Sequence, residues 1–124
     1  MKSYRDLEIF KEAYRLAIGV HRMTLTLPKY EMYEQGSQVR RSSKSIKDNI
    51  VEGYGRKRYK QDFIRFLVYA HASCDEAISQ LTMIDEIHFE SKKLVEMISE
   101  YDILGRKLNK FIDYVEKHWN EPKP

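Results

Sequence analysis

The stretch from Gln38 to Arg58, QVRRSSKSIKDNIVEGYGRKR, decides the fold. Wound at about 100° per residue, its first fifteen residues sort into three faces. Val39, Ser43, Ile46 and Ile50 share a narrow dry arc, at spacings of four, three and four. Arg40, Lys44 and Lys47 form a basic flank on one side of that arc. Gln38, Arg41, Ser45, Asn49 and Glu52 form a mostly uncharged polar flank on the other. A surface helix needs only a dry and a wet face, so three faces imply more than one contact. Gly53 and Gly55 follow and mark the expected end of this helix, either one able to take the left-handed backbone that closes it. Its start falls at Tyr30 or Glu34, with Gly36 a weak point costing about 1 kcal/mol against alanine.

Outward from this stretch the same rhythm recurs. Upstream, Asp6 to about Leu25 carries two apolar stripes. One is Leu7, Phe10, Tyr14, Ala17 and His21, and the other is Ile9, Ala13, Leu16 and Val20. Two adjacent stripes predict a helix with more than one neighbour, and Pro28 ends it. Downstream, Phe63, Leu67, Ala70, Cys74, Ala77, Leu81 and Ile84 give a heptad running from about residue 60 to His88 or Phe89. Leu94, Ile98, Tyr101, Gly105, Leu108, Ile112, Val115 and Trp119 give another from Glu90 or Ser91 to Trp119, with a frayed NEPKP tail. No run alternates with a period of two. The expectation is an all-α fold, a single-domain, up-down-up-down antiparallel four-helix bundle, with helices near 6–25, 30–52, 60–88 and 91–119.

Composition agrees and narrows the class. The chain has 124 residues, 42% apolar and 33% charged, enough to bury a core without metals or disulfides. Its one cysteine, Cys74, has no internal partner, and the N-terminus lacks an apolar run. No stretch reaches the roughly 18 apolar residues of a membrane span. A cytoplasmic protein is expected. The net charge of +3 is unevenly spread: residues 38–60 hold eight Lys or Arg against two acids. Cations concentrated in about a fifth of the chain suit a phosphate-bearing or an acidic protein partner.

The candidate nucleic-acid-binding residues are therefore Arg40, Lys44 and Lys47, continued by Arg56, Lys57, Arg58 and Lys60, with Tyr54 and Tyr59 interleaved as stacking platforms. The plainer alternative is a solvated loop with routine helix charges. The polar flank Gln38, Arg41, Ser45, Asn49 and Glu52 reads either as a subunit interface or as internal hydrogen bonding. Arg41 leans to the former, and Asn49 and Glu52 lean to backbone groups near the glycine stop. Ser42, Ser43 and Ser45 read as small residues that let helices approach.

Chemistry beyond binding finds little footing. His71, Cys74 and Asp75, and Asp85 with His88, make one poor imitation of the paired Glu-x-x-His sets of di-metal bundles. Core packing is the better reading of them, and of His21. Gly53-Tyr54-Gly55 follows a helix, not the strand a dinucleotide site requires. No catalytic residue, metal or cofactor is expected.

The central block also carries a family resemblance. Tyr4, Asp6-Leu7-Glu8-Ile9 and Ala13 match an opening signature. Ser37 to Arg41, Ser45-Ile46, Asn49-Ile50, Glu52 to Arg56 and Phe63 to Leu67 match a central one. On these residues the chain resembles the bacterial four-helix-bundle proteins linked to intervening sequences of 23S ribosomal RNA genes, a ribosomal-like family. Lys47 stands where that family commonly has proline, and Lys44 where it has a small residue, which adds charge and straightens the helix. The resemblance implies a ring-like homo-oligomer, often a pentamer. It also implies kinship with accessory proteins of diversity-generating retroelements, whose rings are thought to bind a reverse transcriptase and nucleic acid. The expected function is a non-enzymatic binding or scaffold protein for RNA or DNA. The alternative is an adaptor that meets a nucleic-acid-processing protein without touching nucleic acid itself.

Overall fold

The computed structural model describes residues 3–88 and 92–119. A 3-10 turn, Tyr4–Asp6, precedes five α-helices: α1 (Glu8–Thr24), α2 (Lys29–Tyr33), α3 (Gln35–Gly55), α4 (Lys60–Ile87) and α5 (Lys92–His118). Among the described residues there is no strand. The four long helices form the expected all-α bundle.

Contacts fix the relative direction of its helices. His21 meets Lys44 and Thr24 meets Arg40, Ser42 meets Gln80 and Ser45 meets Ser73, and Cys74 meets the Tyr101 carbonyl. Partner numbers that rise on one helix as they fall on the next require antiparallel neighbours. Each long helix packs on the next in sequence, and α1 closes the square against α5 along the loosest seam. There, surface pairs Arg15–Glu100 (2.8 Å) and Lys107–Glu8 (2.7 Å) span the gap. Lys107 holds the Glu8 carboxyl below its ordinary range.

The heptads fill the centre as their spacing predicts. Val39, Ser43, Ile46 and Ile50 are fully buried, as are all seven positions from Phe63 to Ile84. On α1 the stripe Ile9, Ala13, Leu16 and Val20 enters the core, while Phe10, Tyr14 and His21 lie on the rim facing α3. Each large apolar side chain so buried contributes roughly 1.5–3 kcal/mol relative to exposure.

Four boundaries differ from the sequence expectation. Asp6 opens no α-helix. Ser3 and Asp6 form a reciprocal cap on the 3-10 turn, and Leu7 then extends into the core before α1 starts at Glu8. The expected second helix is split at Glu34, whose φ of −92° and ψ of −95° leave the helical region. The split is held by Glu31, buried at 4% exposure, which accepts from the Gln35 backbone nitrogen (3.4 Å), Gln35 Nε2 (3.0 Å) and His88 Nε2 (2.7 Å). A carboxylate at the start of α3 also suits that helix's dipole.

The third difference concerns the glycines. α3 runs through Gly53 to Gly55, and Arg56 caps it. Neither glycine is left-handed. Gly53 is there because α4 passes close: a Cβ would lie 3.1 Å from Phe66 Cβ and 3.2 Å from the Phe63 carbonyl oxygen. Gly36 likewise sits against the Glu31 carbonyl oxygen, 3.2 Å from where its Cβ would be. Finally, the third predicted helix ends at Ile87. The expected start of the last helix at Glu90 or Ser91 and the NEPKP tail lie outside the described residues.

The Glu31 clasp makes a pH-dependent prediction. Its hydrogen bond from His88 lowers the Glu31 pKa below 4.5 in the folded protein. A depressed carboxylate stabilises fully above 4.5, and its contribution is lost as pH falls through the folded value. Glu31→Gln is expected to cost on the order of 1 kcal/mol at pH 7. That gap should close towards pH 3. Thermal melts of both proteins at the two pH values check this, and an equal gap at both would be contrary to it.

Candidate nucleic-acid interface

The sequence places seven cations in one run, but the fold divides them. Arg40, Lys44 and Lys47 occupy the flank of α3 that faces α1. Half-buried Arg40 donates from Nη1 to Thr24 Oγ1 at 2.8 Å, and Thr24 in turn donates to the His21 carbonyl. Exposed Lys44 donates from Nζ to His21 Nδ1 at 3.2 Å. Lys47 pairs with its neighbour Asp48. Lys44 and Lys47 border an open groove of about 310 Å³ between α1 and α3, floored by Tyr14, Ala17 and Ile18 and edged by His21 and Arg22.

The other cations sit at the opposite end of α3, around the turn into α4. Arg56 pairs with Glu52 (3.4 Å) and lies 5.0 Å from the centre of the Phe66 ring, on the α4 side. Lys57 covers the Tyr54 ring at 4.2 Å, and Arg58 lies 6.0 Å from the Tyr59 ring. Lys60 opens α4, half-buried, beside a recess that includes Glu116. Lys47 and Arg56, the nearest members of the two groups, are nine residues apart, about 14 Å along the helix, and face different neighbours. The result is two cationic regions rather than one continuous patch.

Tyr54 does not serve as a stacking platform. It is 6% exposed, with its ring edge-on to Phe63. Phe63 also meets Phe111 and Trp119 edge-on, and Trp119 Nε1 donates to the Lys57 carbonyl at 3.0 Å. This aromatic knot fixes the basic turn to α4 and α5. Tyr59, at 62% exposure, stays open to solvent.

The polar flank faces α4. Ser42 donates to Gln80 Oε1 (2.6 Å), and Ser45 and Ser73 share a hydrogen bond (2.9 Å), so these serines line the close seam. Asn49 donates to the Ser45 carbonyl and hydroxyl one turn back, not to groups near the glycines. Glu52 pairs with the Arg56 side chain rather than with backbone. Gln38 and Arg41 are exposed beside a recess that Glu76 and Gln80 also line.

Among the described residues no three potential metal ligands cluster. Cys74 is buried and its sulfur donates to the Tyr101 carbonyl at 3.3 Å; burial pushes its thiol up to about 12. His88 turns to Glu31, and His71 makes a long 3.7 Å pair with exposed Asp75. His21 is half-buried at the groove, where it accepts a hydrogen bond from Lys44 rather than packing in the core. Arg22, Tyr14, Ile18 and His21 join the cationic flank only once α1 is laid against α3. Tyr14 and His21 belong to the first apolar stripe of that helix, part of which ends up as a rim, and no pattern in the sequence singles out Ile18 or Arg22.

The geometry thus defines an antiparallel four-helix bundle with cations along an interhelical groove. A family model for the 23S rRNA-intervening sequence protein matches residues 5–110. The chain belongs to that family. No curated protein matches it. No described helix is long and apolar enough to cross a membrane.

Proposed function

We propose that this protein is a non-enzymatic, homo-oligomeric binding or scaffold protein that contacts RNA or other nucleic acid through the α1–α3 cationic flank, with the basic turn Arg56–Lys60 as a second contact. One observation carries this reading. Arg40 and Lys44 are held by neutral acceptors, Thr24 Oγ1 and His21 Nδ1, and among the described residues neither they nor Arg22 forms an ion pair. Cations positioned but left uncompensated attract phosphate. Family membership is consistent with an association with nucleic acid. Tyr54, buried, has no part in it.

Self-association fits the exposed apolar side chains Val68, Tyr69, Met83 and Ile87 on α4. Repeating the cationic flank in each subunit would let weak contacts sum. The cytoplasm, where RNA is at hand, is the proposed location.

The test compares wild type with a Lys44→Glu, Lys47→Glu, Arg56→Glu, Lys57→Glu variant in RNA binding by fluorescence anisotropy, alongside light scattering. The variant should bind at least about tenfold more weakly, since each lost phosphate contact removes a released counterion. Equal binding overturns the nucleic-acid reading. A mass near the 14.9 kDa of one chain overturns the oligomer.

A further inference from the structure

The α1–α3 groove differs from a plain phosphate track in having an apolar floor. Tyr14 is 49% exposed and Ile18 40%, both beside buried Ala17. Tyr14 is backed on one side by Phe10, ring centres 5.6 Å apart, and Phe10 by Tyr4 at 4.8 Å. The aromatic ladder steadies the Tyr14 ring, so a flat guest loses less freedom in stacking on it. Across the groove lie Lys44 and Lys47, and at its edge Arg22. The volume of about 310 Å³ is at the small end of ligand clefts, roughly 300–1,000 Å³. No Asp or Glu lines it.

An occupant must therefore be flat and apolar on one side and anionic on the other. We infer that this groove takes a single unpaired nucleotide of an RNA strand, its base against Tyr14 and Ile18 and its phosphate against Lys44 and Arg22. This rests on the nucleic-acid reading above and sharpens it. A duplex keeps its bases stacked inside, so it can use the cations but not the floor. Base–aromatic stacking tolerates any base, so the preference is for single strands rather than for a sequence.

The experiment measures affinity of the full chain for a labelled single-stranded RNA 12-mer and for a 12-base-pair RNA duplex. It uses wild type, Tyr14→Ala, Tyr14→Phe and Lys44→Glu, with thermal melts to show that each is folded. Tyr14→Ala should weaken single-strand binding about 5- to 100-fold and leave the duplex within about twofold. Tyr14→Phe, which keeps the ring, should restore single-strand affinity. Lys44→Glu should weaken both. If Tyr14→Ala leaves single-strand binding intact while Lys44→Glu weakens both, the stacking groove is overturned and the phosphate reading stands. If wild type binds neither RNA, or Lys44→Glu changes neither, both are overturned.

Discussion

Replacing Phe63 by alanine is expected to cost about 3–5 kcal/mol of stability, the range for emptying a buried aromatic site. Phe63 is fully buried and is the ring on which three others converge: Tyr54 from α3, and Phe111 and Trp119 from the end of the chain, at 5.1–6.1 Å. Edge-to-face pairs add to the area buried, and three rings around one void cannot collapse into it without losing one another. For a domain of this size the loss should lower Tm by on the order of 10–20 °C. Trp119 is the sole tryptophan, so its emission should shift to the red as its packing opens. The same change should loosen the basic turn, because Trp119 donates to the Lys57 carbonyl. Circular dichroism melts with parallel fluorescence make the check. A Tm within about 3 °C of wild type would mean that the knot is not what holds this end.

The second large effect separates two glycines two residues apart. Gly53→Ala inserts a methyl 3.1 Å from Phe66 Cβ and 3.2 Å from the Phe63 carbonyl oxygen. Both are anchored, one to the backbone of α4 and the other part of it, and the four-residue connection leaves α4 little room to retreat. Overpacking of this kind costs about 1–3 kcal/mol, which outweighs the gain in helix propensity of up to about 1 kcal/mol. Gly55 has nothing within 4 Å of the same position. Gly55→Ala should therefore be neutral or stabilising by up to about 0.5 kcal/mol, less than the full interior value because it is the last helical residue. Urea denaturation of both variants tests the contrast. Equal changes of the same sign would show that the glycines end the helix for conformational reasons, not to let α4 approach.

These glycines show where the sequence was legible and where it was not. The apolar stripes placed every long helix, because a period near 3.6 survives any detail of packing. The seven α4 positions from Phe63 to Ile84 are all buried for that reason. The three-sidedness of α3 was equally visible, but its cause lies in geometry. A helix in a square bundle has one core face and two neighbour faces, so the basic flank rims α1 and the polar flank, with its serines, meets α4. A glycine serving close approach looks identical in sequence to one that ends a helix. Tyr54 reads as exposed from its basic neighbours, yet the last turn of α3 rotates it onto Phe63. Arg56 follows it in sequence but points towards α4, which is why one run of cations becomes two regions. Glu31 carried no visible sign of its burial, because its partner His88 lies 57 positions away. Arg40, Lys44 and Lys47 share a flank by spacing alone, whereas the groove that Lys44 and Lys47 edge needs Tyr14, Ile18 and Arg22 from another helix.

What remains decisive is whether the cations on α3 work by displacing counterions from RNA. Measuring the affinity of the wild-type protein for a single-stranded RNA between 50 and 300 mM potassium chloride answers it directly. With about four phosphates engaged per site, log affinity should fall linearly against log salt with a slope near −3, and the slope should flatten when Lys44 and Lys47 are changed to glutamine. A slope near zero, or one the double substitution leaves unaltered, would contradict the account.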